Sequence, residues 1–210
     1  MSLETWLPAE TDAPTADLAG YDAVMVFGGA MHADHEEHHP WLRNVKSLLR
    51  DLLGRGVPTL GVCLGAQLLA EAAGAQPHRA SRPEIGWHEV ELTAEGVRDP
   101  AIGSLPPRFV AFQWHSYEFP LPPGATALAR SPICLQAFRT GNALGIQFHA
   151  EVSATDAEVW IDDYRSDEDA VRIGVDPAAL RRETRAAIGG WNEVGRALCG
   201  RFLDSVATRA

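Results

Sequence analysis

The sequence predicts an α/β protein: an open, mostly parallel sheet flanked by helices, followed by an antiparallel β extension and a helical C-terminal segment. Three features carry that expectation. A continuous apolar run at residues 23–27 ends in Gly28-Gly29, as a buried parallel strand does. A second run, Thr59 to Val62, turns at once into a helix-forming segment that begins Leu64-Gly65-Ala66-Gln67. Between the two, Trp41, Leu42, Val45, Leu48, Leu49, Leu52 and Leu53 recur at the spacing of a helix packed on a sheet. Strand, helix and strand in this order form a right-handed βαβ unit, and such sheets keep their sites at the carboxyl ends of the strands. Gly28-Gly29 and Cys63 both stand at such ends and can meet in space.

Residues 1–20 carry Pro8, Pro14 and small or acidic residues, and read as irregular apart from a short strand near Thr5-Trp6-Leu7. Polar, histidine-rich residues 32–39 follow the first apolar run. Pro40 suits the first turn of the next helix, which Gly54 and Gly56 stop. Past Gly74 the texture changes: residues 87–92, 109–114, 125–129, 134–138 and 144–148 read as strands. Turns such as Leu105-Pro106-Pro107 and Leu121-Pro122-Pro123-Gly124 separate them. Residues 152–210 read as helical, with one segment at 178–187 and a stripe of Trp191, Val194, Leu198, Phe202 and Val206. That stripe suits packing on the domain and also a homodimer face. No repeat or linker divides the chain, so residues 1–210 are expected to form one domain.

A chain of 210 residues, 46% hydrophobic and 22% charged, can bury an ordinary globular core. No stretch is apolar for long enough to cross a membrane, and no charged-then-apolar leader opens the chain. A formal net charge of −10 argues against nucleic acid or an anionic membrane as partner. Cys63, Cys134 and Cys199 are too few and too scattered for a disulfide framework or a zinc site, which points to a reducing cytoplasm.

Chemistry gathers at two places. In Gly61-Val62-Cys63-Leu64-Gly65 a strand reverses into a helix, which cramps the backbone of the middle residue. The flanking glycines remove the side chains that would clash there. A cysteine at that point sits at a helix N-terminus, where the dipole and free amides favour a thiolate. A buried packing cysteine fits the pentapeptide about as well. In Gly145-Ile146-Gln147-Phe148-His149-Ala150-Glu151, a histidine and a glutamate two apart close an apolar strand. While the chain stays extended they share a face, so the carboxylate can hold one ring nitrogen and leave the other as a base towards a thiol. Taken alone, a strand-end histidine beside a solvated glutamate is the simpler account.

Together the two segments resemble the class I, triad-type glutamine amidotransferases. Phe27-Gly28-Gly29 with Pro40-Trp41-Leu42, Glu84-Ile85-Gly86-Trp87, Trp114-His115-Ser116 and Gln136-Ala137-Phe138-Arg139 extend the likeness. It covers residues 21–152 and is greatest to the stand-alone, GMP-synthetase-like branch. The resemblance implies a flavodoxin-like fold, with Cys63 as nucleophile, His149 as base and Glu151 as its orienter. It also implies an oxyanion hole from the amide of Leu64 and one in the Gly28-Gly29 turn. Gln67 and the Ser116-Tyr117 backbone would hold the amino-acid end of the substrate. Glutamine, or another γ-glutamyl compound, would then be cleaved through a Cys63 thioester without metal or organic cofactor, and the ammonia passed to a partner synthase. A free-standing hydrolase of γ-glutamyl amides or peptides is one alternative. A silent binding or regulatory relative is another, and the intact Cys63, His149 and Glu151 weigh against it. In one respect the chain departs from the pattern. Family members begin with a strand and helix ahead of the segment corresponding to Trp6-Leu7-Pro8, and neither is found here. A truncated or misplaced start, or a sheet completed differently, is expected.

His32, His35, His38 and His39, with Asp34, Glu36 and Glu37, fit no defined metal spacing and read as a solvated loop; because the segment follows Gly28-Gly29, covering the substrate pocket is a second role open to it. His115 rivals His149 as base but has no carboxylate two residues on. Cys134 and Cys199 read as packing residues.

Overall fold

The computed structural model describes residues 2–11 and 20–207. Residues 12–19 of the expected irregular start and 208–210 of the expected helical tail lie outside the described residues. β1 (Val24–Val26), β2 (Thr59–Val62) and β7 (Ala143–Ile146) run parallel, in that order, at one side of a seven-stranded sheet. β6 (Leu135–Thr140), β5 (Thr126–Arg130), β3 (His78–Leu92) and β4 (Arg108–Glu118) continue it, antiparallel, to the other edge. The α/β class is the one expected, but the sheet is mixed and not mostly parallel: among the described residues two pairings are parallel and four antiparallel, because the extension continues the same sheet. β3 begins nine residues earlier than expected, and its pairing with β4 is irregular between Arg79 and Glu84. Pro83 lies in that interval and has no N–H to give to a ladder.

Helices cover both faces. α1 (Trp41–Arg55) buries Leu42, Val45, Leu49 and Leu52. It carries Gly54 within it and ends at Gly56, whose φ of 68° is the left-handed turn a glycine allows. The N–H groups of Gly56 and Val57 return to the carbonyls of Leu53 and Leu52 at 3.1 and 3.0 Å. α1 and α2 (Leu64–Ala72) pack with Val24, Val26, Phe119 and Phe138 in one core. On the opposite face, Phe112, Phe148 and Leu144 pack beneath α4 (Ala154–Asp162) and α6 (Pro177–Ala207), where Trp191, Leu198 and Phe202 are buried. Two short helices, α3 (Ala94–Arg98) and α5 (Glu168–Arg172), have no periodic signal to announce them. Each opens on a side-chain cap instead, Thr93 for α3 and Asp167 for α5. Among the described residues, no helix is long and apolar enough to cross a membrane.

Three expectations change. Thr5-Trp6-Leu7 forms no strand, because the chain turns after Pro8 and the N–H groups of Glu10 and Thr11 both bond to Leu7 O. Trp6 packs at the margin of the α1–α2 core, and β1 is the sheet edge. β7 stops at Ile146, so His149 and Glu151 lie on a bend beyond the strand. The tail stripe and residues 178–187 belong to one continuous helix. Gly189-Gly190 costs α6 about 1 kcal/mol per residue in propensity. Burial of Leu180, Trp191, Leu198 and Phe202 along the same helix offsets it.

Candidate active site

The turn from β2 into α2 is the strained point of the fold. Cys63 has φ 51° and ψ −112°, and among the described residues no other non-glycine has positive φ. Such a conformation costs about 1–3 kcal/mol and persists only where its surroundings dictate it. Here they do. A Cβ on Gly65 would stand 2.0 Å from Val26 O, and one on Gly61 would stand 2.6 Å from Gly65 O, so both flanking glycines are sterically required. Cys63 N–H donates to Ile146 O at 2.9 Å, and Gln67 N–H donates to Cys63 O at 3.0 Å. The sulfur lies 3.9 Å from Trp114 O. Leu64 opens α2, where first-turn amides have no partner within the helix.

His149 faces this turn. Its Nδ1 stands 2.8 Å from Glu151 Oε1, and it is close enough to Cys63 for a side-chain hydrogen bond. A Cβ placed on Gly28 would be 3.3 Å from both Cys63 Cβ and His149 Cε1, so the bare α-carbon of Gly28 fronts the pair. The Gly29 position looks towards Met31 and Leu64 instead. Burial opposes a charge on His149, but Cys63 and Glu151 outweigh it and hold the imidazole up at about 10. The expectation of a shared strand face was right about the contact and wrong about its cause. After β7 the chain crosses the sheet: His149 N–H donates to Phe112 O of β4 at 2.9 Å, and the bend that follows brings Glu151 back to the ring.

Sequence reasoning missed what holds that bend. Trp191 Nε1 donates to His149 O at 2.8 Å and Asn192 Nδ2 donates to Val152 O at 2.6 Å. One turn on, Gly195 lets α6 lie against the chain: a Cβ there would be 1.9 Å from Ala150 O. Glycine inside a helical stripe is a signal of close packing, but Gly200 in the same stripe meets nothing within 4 Å, so the sequence does not single out Gly195.

Gln67, one turn after Cys63, is buried and donates from Nε2 to Tyr117 O at 3.1 Å and to Gln147 Oε1 at 3.3 Å. Tyr117 thus meets Gln67 through its backbone carbonyl, while the side chains of Ser116 and Tyr117 point elsewhere. Ser116 hydrogen-bonds Asp169, whose carboxyl is held down at about 2 by Arg172, Ser116 and Arg79 against the opposing effect of burial. The Tyr117 ring stacks on His32 at 4.1 Å, beneath Arg79, and its hydroxyl donates to Asp34 at 3.3 Å. The histidine-rich segment therefore covers Tyr117. Lys46 anchors that segment by pairing with both Glu36 and Glu71.

His115 points away from the sulfur, into a buried cluster with Glu84 and Cys134. This trio is the one set of donor atoms among the described residues close enough together to hold a cation. Glu84 Oε2 is already taken, however, by Gln136 Nε2 at 2.8 Å, Ser131 Oγ at 3.0 Å and Cys134 Sγ at 3.4 Å, while His115 Nε2 stands 3.4 Å away and makes no hydrogen bond. Three protein donors thus already converge on that carboxylate oxygen.

A cysteine at a strained strand-to-helix turn, at the carboxyl ends of parallel strands, defines an α/β protein of the elbow class. The family is narrower. Residues 4–163 match the glutamine amidotransferase class-I family, and the chain belongs to it. Among its relatives is a glutamine-hydrolyzing GMP synthase subunit of Sulfurisphaera tokodaii, 32% identical over 70% of this chain and 77% of the relative. A glutamine amidotransferase-like protein of Salmonella typhimurium is 32% identical over 69% of this chain and 62% of its own. The match to the GMP synthase of Aeropyrum pernix, 38% identical over half of this chain, spans 20% of that protein. In structure, the chain superposes on a glutamine amidotransferase from Thermotoga maritima with a TM-score of 0.81 and 33% identity. That superposition covers 91% of this chain and 82% of the other.

Proposed function

We propose that this chain hydrolyses the side-chain amide of glutamine through a thioester on Cys63 and supplies the ammonia to a partner synthase. The observation that carries the reading is the strained Cys63 turn facing a buried His149 that is itself paired with Glu151. The relatives named as glutamine-hydrolyzing GMP synthase subunits support both the substrate and a synthase as partner.

Cys63 Sγ attacks the carboxamide carbon, and the carbonyl oxygen becomes an oxyanion. The N–H of Leu64 and one from Gly28-Gly29 take that charge, each donor worth ~2.7–4 kcal/mol. His149, charged and oriented by Glu151, gives its proton to the amide nitrogen as the C–N bond breaks, and ammonia leaves. The neutral ring then takes a proton from water, and the resulting hydroxide attacks the thioester. The C–S bond breaks, glutamate departs and the sulfur regains its negative charge beside the imidazolium. Gln67 and the Ser116-Tyr117 backbone hold the amino-acid end.

A diazoketone analogue of glutamine, followed by peptide mass mapping, tests the assignment. Label on Cys63 is expected; label on Cys134 or Cys199 with Cys63 untouched overturns it. Glutamate release by the isolated chain is expected to be slow, since unescorted hydrolysis wastes glutamine. Turnover of a γ-glutamyl amide at an ordinary enzymatic rate of ~1–10³ s⁻¹ would instead establish a free-standing hydrolase.

A further inference from the structure

His149 is held at two points on its rim, by Glu151 Oε1 at 2.8 Å from Nδ1 and by the Cys63 side chain. Two partners on the rim of a flat ring leave its tilt loose, because the ring can rock about the line joining them while both bonds stay within their tolerance. Water must be kept off as well. The histidine is only 4% exposed, although the Glu151 side chain beside it is about one-third exposed. Gly28, which fronts the pair, has no side chain to give either service.

Trp160 of α4 gives both. Its ring stands nearly perpendicular to the imidazole, at 74° with centroids 4.9 Å apart, the edge-to-face arrangement that aromatic pairs favour. Phe112 and Trp114, each 6.0 Å away, fix the indole in turn. Trp114 is tied at both ends: Nε1 donates to Asp167 Oδ2 at 2.9 Å, and its carbonyl oxygen lies 3.9 Å from the Cys63 sulfur. One aromatic group thus reaches from the cap of α5 to both members of the reacting pair.

α4 is placed to hold the indole there. Ser153 and Asp156 form a capping box just after Glu151, so the bend that carries the carboxylate runs directly into the helix. Trp160 follows about two turns on and comes back against His149. Glu158 and Asp162 both pair with Arg181 of α6, and Glu158 also with Arg185, which ties α4 down and occupies its carboxylates. The charges that act on the imidazole are those of Cys63 and Glu151. None of the motifs that carry the family likeness includes Trp160.

We propose that Trp160 is a positioning residue for His149: its ring sets the tilt of the imidazole and shields it from water, so that the base stays aligned with Cys63. This rests on the pairing of Cys63 with His149 in the function proposed above. Trp160 is only partly buried at the margin of its core, so it can be replaced without opening the interior.

The test is the pH dependence of Cys63 alkylation by iodoacetamide on the full chain, followed at the Cys63 peptide, because only the thiolate reacts. A free thiol with a pKa of ~8.5 reacts roughly 200-fold more slowly at pH 6 than at pH 9. A sulfur paired with an imidazolium keeps most of its reactivity at pH 6, and the wild type is expected to behave so. Trp160→Ala should lower the ratio of the two rates on the order of tenfold, as a misaligned base gives up part of the pair. Trp160→Phe, which restores a flat ring, should return the ratio to within about twofold of wild type. Trp160→Leu, which fills space without a flat face, should lower it several-fold and decides the matter where the alanine variant fails to fold. A wild-type profile in the alanine or leucine variant would overturn the proposal. So would a fall of equal size at every pH, which marks a merely structural residue, or a phenylalanine variant no better than alanine. A wild type with the free-thiol profile would remove the Cys63–His149 pairing and this proposal with it. A wild type that keeps its reactivity at pH 6 but takes no label from the diazoketone analogue would overturn the glutaminase function alone.

Discussion

Replacing Gly195 by alanine sets two effects of opposite sign against each other within one helix. Alanine is the better helix former by about 1 kcal/mol, so propensity alone predicts a more stable protein. The added Cβ, however, would stand 1.9 Å from Ala150 O, where ordinary contact begins near 3.4 Å. Helix and bend must separate by about 1.5 Å, and neither is a flexible side-chain end that can swing aside. Overpacking of this kind costs ~1–3 kcal/mol, towards the upper end against backbone, which leaves a net loss of roughly 1–2 kcal/mol. For a chain of this size the melting temperature should fall by about 2–8 °C. Gly189 and Gly190 are internal controls, since a Cβ on either meets nothing within 4 Å. Alanine at each should stabilise by ~0.5–1 kcal/mol. Function should follow position and not stability alone: Ala150 lies between His149 and Glu151, and a shift of ~1 Å there can cost ~10²-fold in rate. Thermal melts of the three variants, with Cys63 labelling rates alongside, provide the assay. If Gly195→Ala melts at or above the two controls and labels at the wild-type rate, α6 does not brace the bend as described.

The two members of the His149–Glu151 pair should differ in severity. His149→Ala is expected to abolish thioester formation, measured by trapping the acyl-enzyme, whereas Glu151→Gln should retain a measurable fraction, because Glu151 is about one-third exposed and water can replace it. If His115→Ala abolishes turnover while His149→Ala stays active, the assignment of the base is reversed. Stability should depend on pH in a defined direction as well. An imidazole held at about 10 against an ordinary ~6.5 stabilises the folded state in full below ~6.5. That contribution shrinks as the pH rises from there and is gone above about 10. Urea melts between these limits should show the wild type losing stability faster than His149→Ala; identical slopes would refute the shift.

The elbow was legible because its strain is local: five consecutive residues contain the cramped cysteine and both glycines that relieve it. His149 and Glu151 were legible as near neighbours, although a bend and not a pleat brings them together. What was hidden depends on contacts between distant parts of the chain. Nothing local to Trp191, Asn192 or Gly195 shows that they will meet residues some forty positions earlier. The Glu84–His115 contact depends on the register of β3 on β4, where the two residues are directly opposite. Alternation shows which residues share a face of a strand but not which residue of the next strand lies opposite. The single α6 helix was hidden for a different reason, since propensity at Gly189-Gly190 argues for a break that burial overrides.

The shape of the sheet has a consequence for which residues the site depends on. In a flat sheet the four spacings from β7 to β4, at ~4.8 Å each, would hold the two strands ~19 Å apart. Yet Phe112 O on β4 lies 2.9 Å from the N–H of His149, just beyond β7, and Trp114 O lies 3.9 Å from the Cys63 sulfur. The gap is closed by curvature of the sheet: β5 pairs with β3 only at Glu91 and Leu92, and the rest of the β3–β4 ribbon curls back towards β7. Register irregularities in β5–β6 and β3–β4 allow the bend. Cleft width is therefore an additive quantity, and small errors in several strands sum at its mouth. A substitution that flattens β5, far from any reacting atom, would open the space between sulfur and Trp114 as effectively as one beside it.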